Sequence, residues 1–158
     1  MSLVLRHATL DDAAACARLH RDAVAGYAGV YDPPVLAAWN EGHTADKWQA
    51  RLRGPGVFVL AFDDDADSDL LGCGGLVGNR PGLYVHPRAR RRGVARAIFH
   101  DLETLARTQG HTVLELSAPE PAVAFYEAVG FERIAAAPHR FASGAELTTI
   151  DMRKLLSI

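Results

Sequence analysis

The sequence predicts one α/β domain. Three observations carry that expectation. β-rich apolar runs alternate with helical stripes along the chain; the segment from Leu83 to Leu105 reads as strand, loop and amphipathic helix in succession; and 158 residues at 49% hydrophobic content suit a single core rather than two. We expect residues 1–158 to form that one domain, with no internal repeat or linker.

The first expected strand is Val4 to His7. Thr9 with Asp12 three residues on reads as a capping box, opening a helix whose buried face is Ala13, Cys16, Ala17, His20 and Val24. Asp32 before Pro33-Pro34 starts a second helix carrying Leu36 and Trp39 and stopping near Gly42. Thr44 caps a third that runs to Leu52 and ends at Gly54-Pro55-Gly56.

Val57 to Phe62 and Leu70 to Val77 are expected strands. Gly72-Cys73-Gly74-Gly75 in the second reads as a tight bulge. Between the two strands, Asp65, Asp67 and Asp69 have the spacing of a calcium loop. Leu70 and Leu76 stand where such a loop needs glycine and glutamate, so a solvated hairpin turn is the better reading and no metal is expected.

Leu83 to His86 is the next strand, followed by a loop dense in arginine and a helix from about Arg92 to Gln109. Its stripe is Val94, Ile98, Leu102 and Leu105, with Gly110 as its stop. Strand Val113 to Leu116, helix Pro121 to Val129, strand Phe131 to Ala135 and strand Glu146 to Met152 complete the order.

The chemistry concentrates at the loop before the long helix. A helix N-terminus presents unpaired N–H groups and the positive end of its dipole, which together attract anions. Arg88, Arg90, Arg91, Arg92 and Arg96 crowd this start, and guanidinium groups match phosphate oxygens. Gly93 lets backbone approach a ligand closely. The local expectation is a phosphate-bearing ligand, although Gly93 could be a plain N-cap and part of the arginine run a solvated face. The net charge of −2 argues against nucleic acid as the partner. No run approaches a membrane span and no leader precedes the first strand. Cys16 and Cys73 lack metal-type spacing and suit a reducing cytoplasm.

Arg90-Arg91-Arg92-Gly93-Val94-Ala95, after Val85-His86-Pro87, resembles the [Q/R]-x-x-G-x-[G/A] pyrophosphate loop of the GNAT N-acetyltransferase superfamily. Pro119 to Phe131 is similar to that family's N-x-x-A-x-x-F-Y-x-x-x-G-F box. Y-D-P-P-x-L-x-x-W near residues 31–39 looks like a bacterial subgroup of unassigned substrate. The resemblance implies the GNAT fold: a mixed, mostly antiparallel sheet flanked by helices, with two splayed parallel strands at its centre, here Leu83–His86 and Val113–Ser117.

It further implies acetyl-CoA as cosubstrate, an amine as acceptor, and direct acetyl transfer in a ternary complex. The cofactor-binding set would be Leu83, Val85, Arg90, Arg91, Arg92, Gly93, Val94, Ala95 and Arg96, with Arg90 and Arg92 favoured among the three consecutive arginines. Tyr126 would donate a proton to the departing thiolate; the bland reading of Tyr126 is a core aromatic. Tyr27, Tyr31, Trp39, His43 and Trp48 fall in the region that walls the acceptor pocket in such folds, where aromatic packing is the default.

Two departures stand out. Pro119 replaces an asparagine whose amide contacts the cofactor, and no acidic residue lies between Gly72 and Arg88, where related enzymes often carry a glutamate base. His20, His86 and Glu115 are the candidate substitutes, each also readable as structural; we expect no single indispensable base. Cys73 as an acetyl-accepting nucleophile is the weaker alternative to its place in a tight strand. The rival function is a non-catalytic acyl-CoA-binding module. The acceptor is open among antibiotic, polyamine, amino acid and protein N-terminus, and a homodimer is left open.

Overall fold

The computed structural model describes residues 2–64 and 69–157. In chain order the elements are β1 (Leu3–His7), α1 (Ala13–Ala25), α2 (Pro33–Glu41), α3 (Ala45–Arg53), β2 (Val57–Asp63), β3 (Gly72–Val77) and β4 (Arg80–Val85). They continue with α4 (Val94–Thr108), β5 (Val113–Pro119), α5 (Val123–Ala128), β6 (Glu132–Arg140) and β7 (Glu146–Leu155). Single 3-10 turns lead into α1, follow β4 and lead into α5.

The strands form two antiparallel sheets, β1-β2-β3-β4 and β5-β7-β6. Between β4 and β5 no ladder forms among the described residues. The two are joined only where they begin: the Glu115 N–H donates to the Asn79 carbonyl at 3.2 Å, and Asn79 Nδ2 donates to the Val113 carbonyl at 3.2 Å. From that clasp they part, as the expected splay requires.

α4 joins the halves. Val94, Ile98 and Leu102 are each at most 1% exposed and sit in one cluster with Leu76 from the first sheet and Leu114 and Met152 from the second. Each such side chain contributes about 1.5–3 kcal/mol on burial. Gly110, at φ +85°, ends the helix in the left-handed conformation that glycine adopts without strain. A smaller cluster packs α1 and α3 on the other face of the first sheet, around Leu60 and Trp48.

The capping box holds: the Thr9 N–H donates to Asp12 at 2.7 Å. Thr44 caps α3 by accepting from the Lys47 N–H at 3.3 Å. β6 runs past the expected stop at Ala135 to Arg140, because β7 pairs with it from Glu132 to Arg140, interrupted only by a register shift at Ile134. Pro138, a natural strand breaker, is tolerated because β6 is an edge.

The glycines of β3 have a different cause from the one expected. Pairing with β2 and β4 is continuous from Gly72 to Leu76, so there is no bulge. The strand is glycine-rich because its neighbours come too close. A Cβ on Gly74 would lie 2.3 Å from Ile98 Cγ2, and one on Gly75 2.5 Å from the Phe58 ring. Gly74→Ala should therefore cost about 1–3 kcal/mol through overpacking. A urea midpoint lowered with an unchanged slope would show it; an unchanged midpoint would refute the close-packing explanation.

Cys16 and Cys73, far apart in sequence, are buried neighbours in the α1–β3 contact, thiol to thiol. The Cys16 contact and burial both push the Cys73 thiol up, so it stays protonated and unsuited to nucleophilic work. Of the aspartate run, Asp65 and Asp67 lie outside the described residues, while Asp69 accepts an ion pair from Arg88 at 3.4 Å.

Candidate active site

The chain leaves β4 through His86 and a 3-10 turn, Pro87–Ala89, and enters α4 at Gly93. His86 stabilises this passage. Its Nδ1 accepts the Arg88 N–H at 3.2 Å and its Nε2 meets Asp22 of α1 at 3.2 Å. With both nitrogens engaged, His86 holds the loop in place.

Arg91 (φ +63°) and Gly93 (φ +79°) both take the left-handed conformation. That alternation turns successive N–H groups outward, the geometry of an anion-binding nest. The N–H groups of Arg91, Gly93, Val94, Ala95 and Arg96 find no backbone acceptor among the described residues, and a Cβ on Gly93 would meet nothing within 4 Å. The donors thus face open space at the dipole's positive end, which suits a pyrophosphate.

The arginines diverge. Arg90 and Arg91 line the cleft beside this turn, together with Ala95. Arg90 lies across the end of α1, its guanidinium carbon 5.8 Å from the Tyr27 ring centre, where Gly26 leaves room for it. Arg92 turns away to Asp63, at 3.0 Å. Arg96 is exposed on α4 and the Val94 side chain is in the core, and neither residue lines the cleft.

The cleft itself, about 910 Å³, is the space opened by the splay. Leu83 and Val85 of β4 form one wall, and Leu116, Ser117 and Pro119 of β5 the other. Tyr126 of α5 is on its floor, 5% exposed, between Phe125 and Phe131. Burial, with Tyr84 and Tyr27 adding to it, pushes the phenol well above its ordinary value; the Leu83 backbone, hydrogen-bonded to the hydroxyl, opposes this. Tyr126 therefore keeps its proton at any working pH.

Pro119 ends β5 with its backbone extended (ψ 148°) at the cleft wall, and offers no side-chain donor. Glu115 points outward from β5 and does not line the cleft. His20 is 1% exposed, hydrogen-bonded by Asn40, and does not line the cleft.

Other residues reach the site only through tertiary structure. His139, Phe141, Leu147 and Thr149 arrive from the β6–β7 hairpin, whose extra length the sequence concealed. His43, in the short turn between α2 and α3, also lines the cleft. The sequence places it, with Tyr27, Tyr31, Trp39 and Trp48, in the region that walls the acceptor pocket.

Residues 19–156 match the family model described as an acetyltransferase (GNAT) domain. No curated protein sequence matches the chain. Solved structures do. The GCN5-related N-acetyltransferase from Rhodopseudomonas palustris is 26% identical, with 99% of this chain and 97% of that one covered at a TM-score of 0.88. The PaiA N-acetyltransferase from Thermoplasma acidophilum, solved with coenzyme A, is 19% identical, covering 99% and 100% at 0.78. The ribosomal-protein-S18-alanine N-acetyltransferase from Escherichia coli is 15% identical, covering 99% and 96% at 0.71. The last two likenesses speak to the fold alone. No described helix is long and apolar enough to cross a membrane. With the anion-binding turn, the splayed strands and the family match in agreement, the chain belongs to the GNAT superfamily and is an N-acetyltransferase drawing its acyl group from acetyl-CoA.

Proposed function

We propose that the chain carries an acetyl group directly to an amine while both substrates occupy the site. One observation carries this reading: Arg91 and Ala95, which flank the Gly93 turn and whose N–H groups have no backbone acceptor among the described residues, line the same cleft as the protonated Tyr126. When bound, acetyl-CoA supplies an activated thioester. The Gly93 turn and the Arg90 and Arg91 side chains hold its phosphates, with Leu83 and Val85 offering strand backbone alongside the pantetheine.

Tyr126 holds the proton that a departing sulfur needs. The same desolvation that raises the phenol would raise a thiol in the same cleft, so the two remain matched for transfer. The proton balance closes when the acceptor nitrogen, on becoming an amide, gives up the proton that restores the phenol. Holding two reactants in one geometry contributes on the order of 7–11 kcal/mol in well-oriented cases.

Two measurements test this. Gly93→Asp puts a carboxylate where the phosphates sit, so acetyl-CoA affinity by calorimetry should fall at least about tenfold, near 1.4 kcal/mol. Unchanged affinity in a folded variant would remove the phosphate assignment. Thiol release with a panel of amines separates the enzyme from a non-catalytic acyl-CoA-binding module, which would bind acetyl-CoA and release nothing.

A further inference from the structure

A second cavity, about 640 Å³, opens on the α3 side of the first sheet. Trp48, Phe58 and Val77 make it apolar. It shares His43 and the stretch Arg80, Pro81, Gly82 and Tyr84 with the cleft, so β4 is the partition and His43 stands at the join.

Two features of this join are unusual. The first is a pair of stacked imidazoles: the His20 and His43 rings lie 3.4 Å apart and 3° from parallel. Asn40 hydrogen-bonds the buried His20 ring, whereas His43 Nδ1 is buried without a partner. Burial lowers His20 to about 4 against the opposing Asn40 hydrogen bond, and lowers His43 to about 2, with Arg51 pushing both the same way, so both rings are neutral at pH 7. A neutral imidazole keeps one lone pair that seeks an N–H donor.

The second is charge. No aspartate or glutamate lines either cavity among the described residues. Arg51 and Arg80 line the second one, and neither has an ion-pair partner among those residues. Arg51 is fixed in place: Nη2 donates to the Gly42 carbonyl at 2.7 Å and the guanidinium lies 5.1 Å from the Trp48 ring centre, while Nη1 is buried with no acceptor. Such a donor is costly to leave unpaired and calls for an anion.

We propose that the second cavity takes the acceptor and that the acceptor is an apolar amino acid. Its amine N–H groups meet the His43 imidazole, which His20 backs by stacking, its carboxylate pairs with Arg51 and Arg80, and its side chain packs among Trp48, Phe58 and Val77. This rests on the acetyl-transfer reading above. A polyamine or a polycationic antibiotic would bring further ammonium groups into a space with arginines and no carboxylate; a protein N-terminus would bring an amine with no carboxylate beside it.

The test measures binding rather than turnover. L-Phenylalanine, L-phenylalaninamide and spermidine are titrated into the CoA-saturated protein, with calorimetry or Trp48 fluorescence as the readout. Phenylalanine should bind at least tenfold more tightly than its amide, which keeps the amine and the ring but has no carboxylate, and spermidine should bind weakest. Arg51→Met should abolish the preference without altering CoA affinity, and Arg51→Lys should keep part of it. His43→Leu should weaken phenylalanine and its amide alike. Amide or spermidine binding as tight as phenylalanine, or no binding by any of the three, overturns the proposal. Thiol release with some other amine in that event would leave acetyl transfer standing, so the two failures are distinct.

Discussion

Tyr126→Phe should lower kcat by roughly 10²–10⁴ while acetyl-CoA affinity stays nearly constant. The substitution keeps the ring in its contacts with Phe125 and Phe131 and removes only the hydroxyl. Because burial holds the phenol protonated throughout the accessible pH range, wild-type activity should show no decline on the alkaline side assignable to its ionisation near pH 10. Stopped assays of thiol release, beside calorimetry of CoA binding, separate the outcomes. Wild-type turnover from the phenylalanine variant would reduce Tyr126 to a core aromatic.

Acid should destabilise the fold earlier than carboxylate titration alone would. The His20 and His43 pKa values are depressed in the folded protein, to about 4 and about 2, against 6.5 in the unfolded chain. Below pH 6.5 the unfolded state therefore binds more protons. The stability these residues confer is complete above that point and drains away as pH falls through the folded values. Each histidine contributes a slope of up to about 1.4 kcal/mol per pH unit, so the pair approaches about 2.7 between pH 6 and 4. Urea midpoints at pH 7, 6, 5 and 4.5 would measure it, and a His20→Gln/His43→Gln double variant should flatten the profile. A wild-type midpoint that does not move between pH 7 and 5 would show that the pair is not held neutral.

How much of this was written in the sequence depends on how local the cause is. The Gly93 turn and the α4 stripe were legible because each is set by residues within a few positions: a glycine at a left-handed position and apolar residues one turn apart. Of the three consecutive arginines the sequence favoured Arg90 and Arg92, but Arg91 lines the cleft and Arg92 turns to Asp63, since their directions depend on the backbone conformation at Arg91 and on Asp63 across the loop. The β3 glycines were noticed but misread. Their cause is Ile98 and Phe58, which approach from other elements and leave no mark on the strand itself. The length of β6 was hidden for the same reason: an alanine run ending in Pro138 has weak strand character, and β7 overrides it. His43 was placed at the pocket wall only as one aromatic among five, and Arg51 was beyond reach, because the mark of each is a buried unpaired polar atom, visible only once every neighbour is in place.

β4 and β5 meet through the clasp at Asn79 and form no ladder among the described residues, so on the proposed placement CoA in the gap would act as mortar. A CoA molecule at a hundred times its Kd adds about 2.7 kcal/mol to global stability by mass action. The gain should be spatially uneven. Hydrogen exchange in the ligand-free protein should be fastest on the facing edges of β4 and β5 beyond Asn79 and Val113, slow in α4, and brought level by CoA.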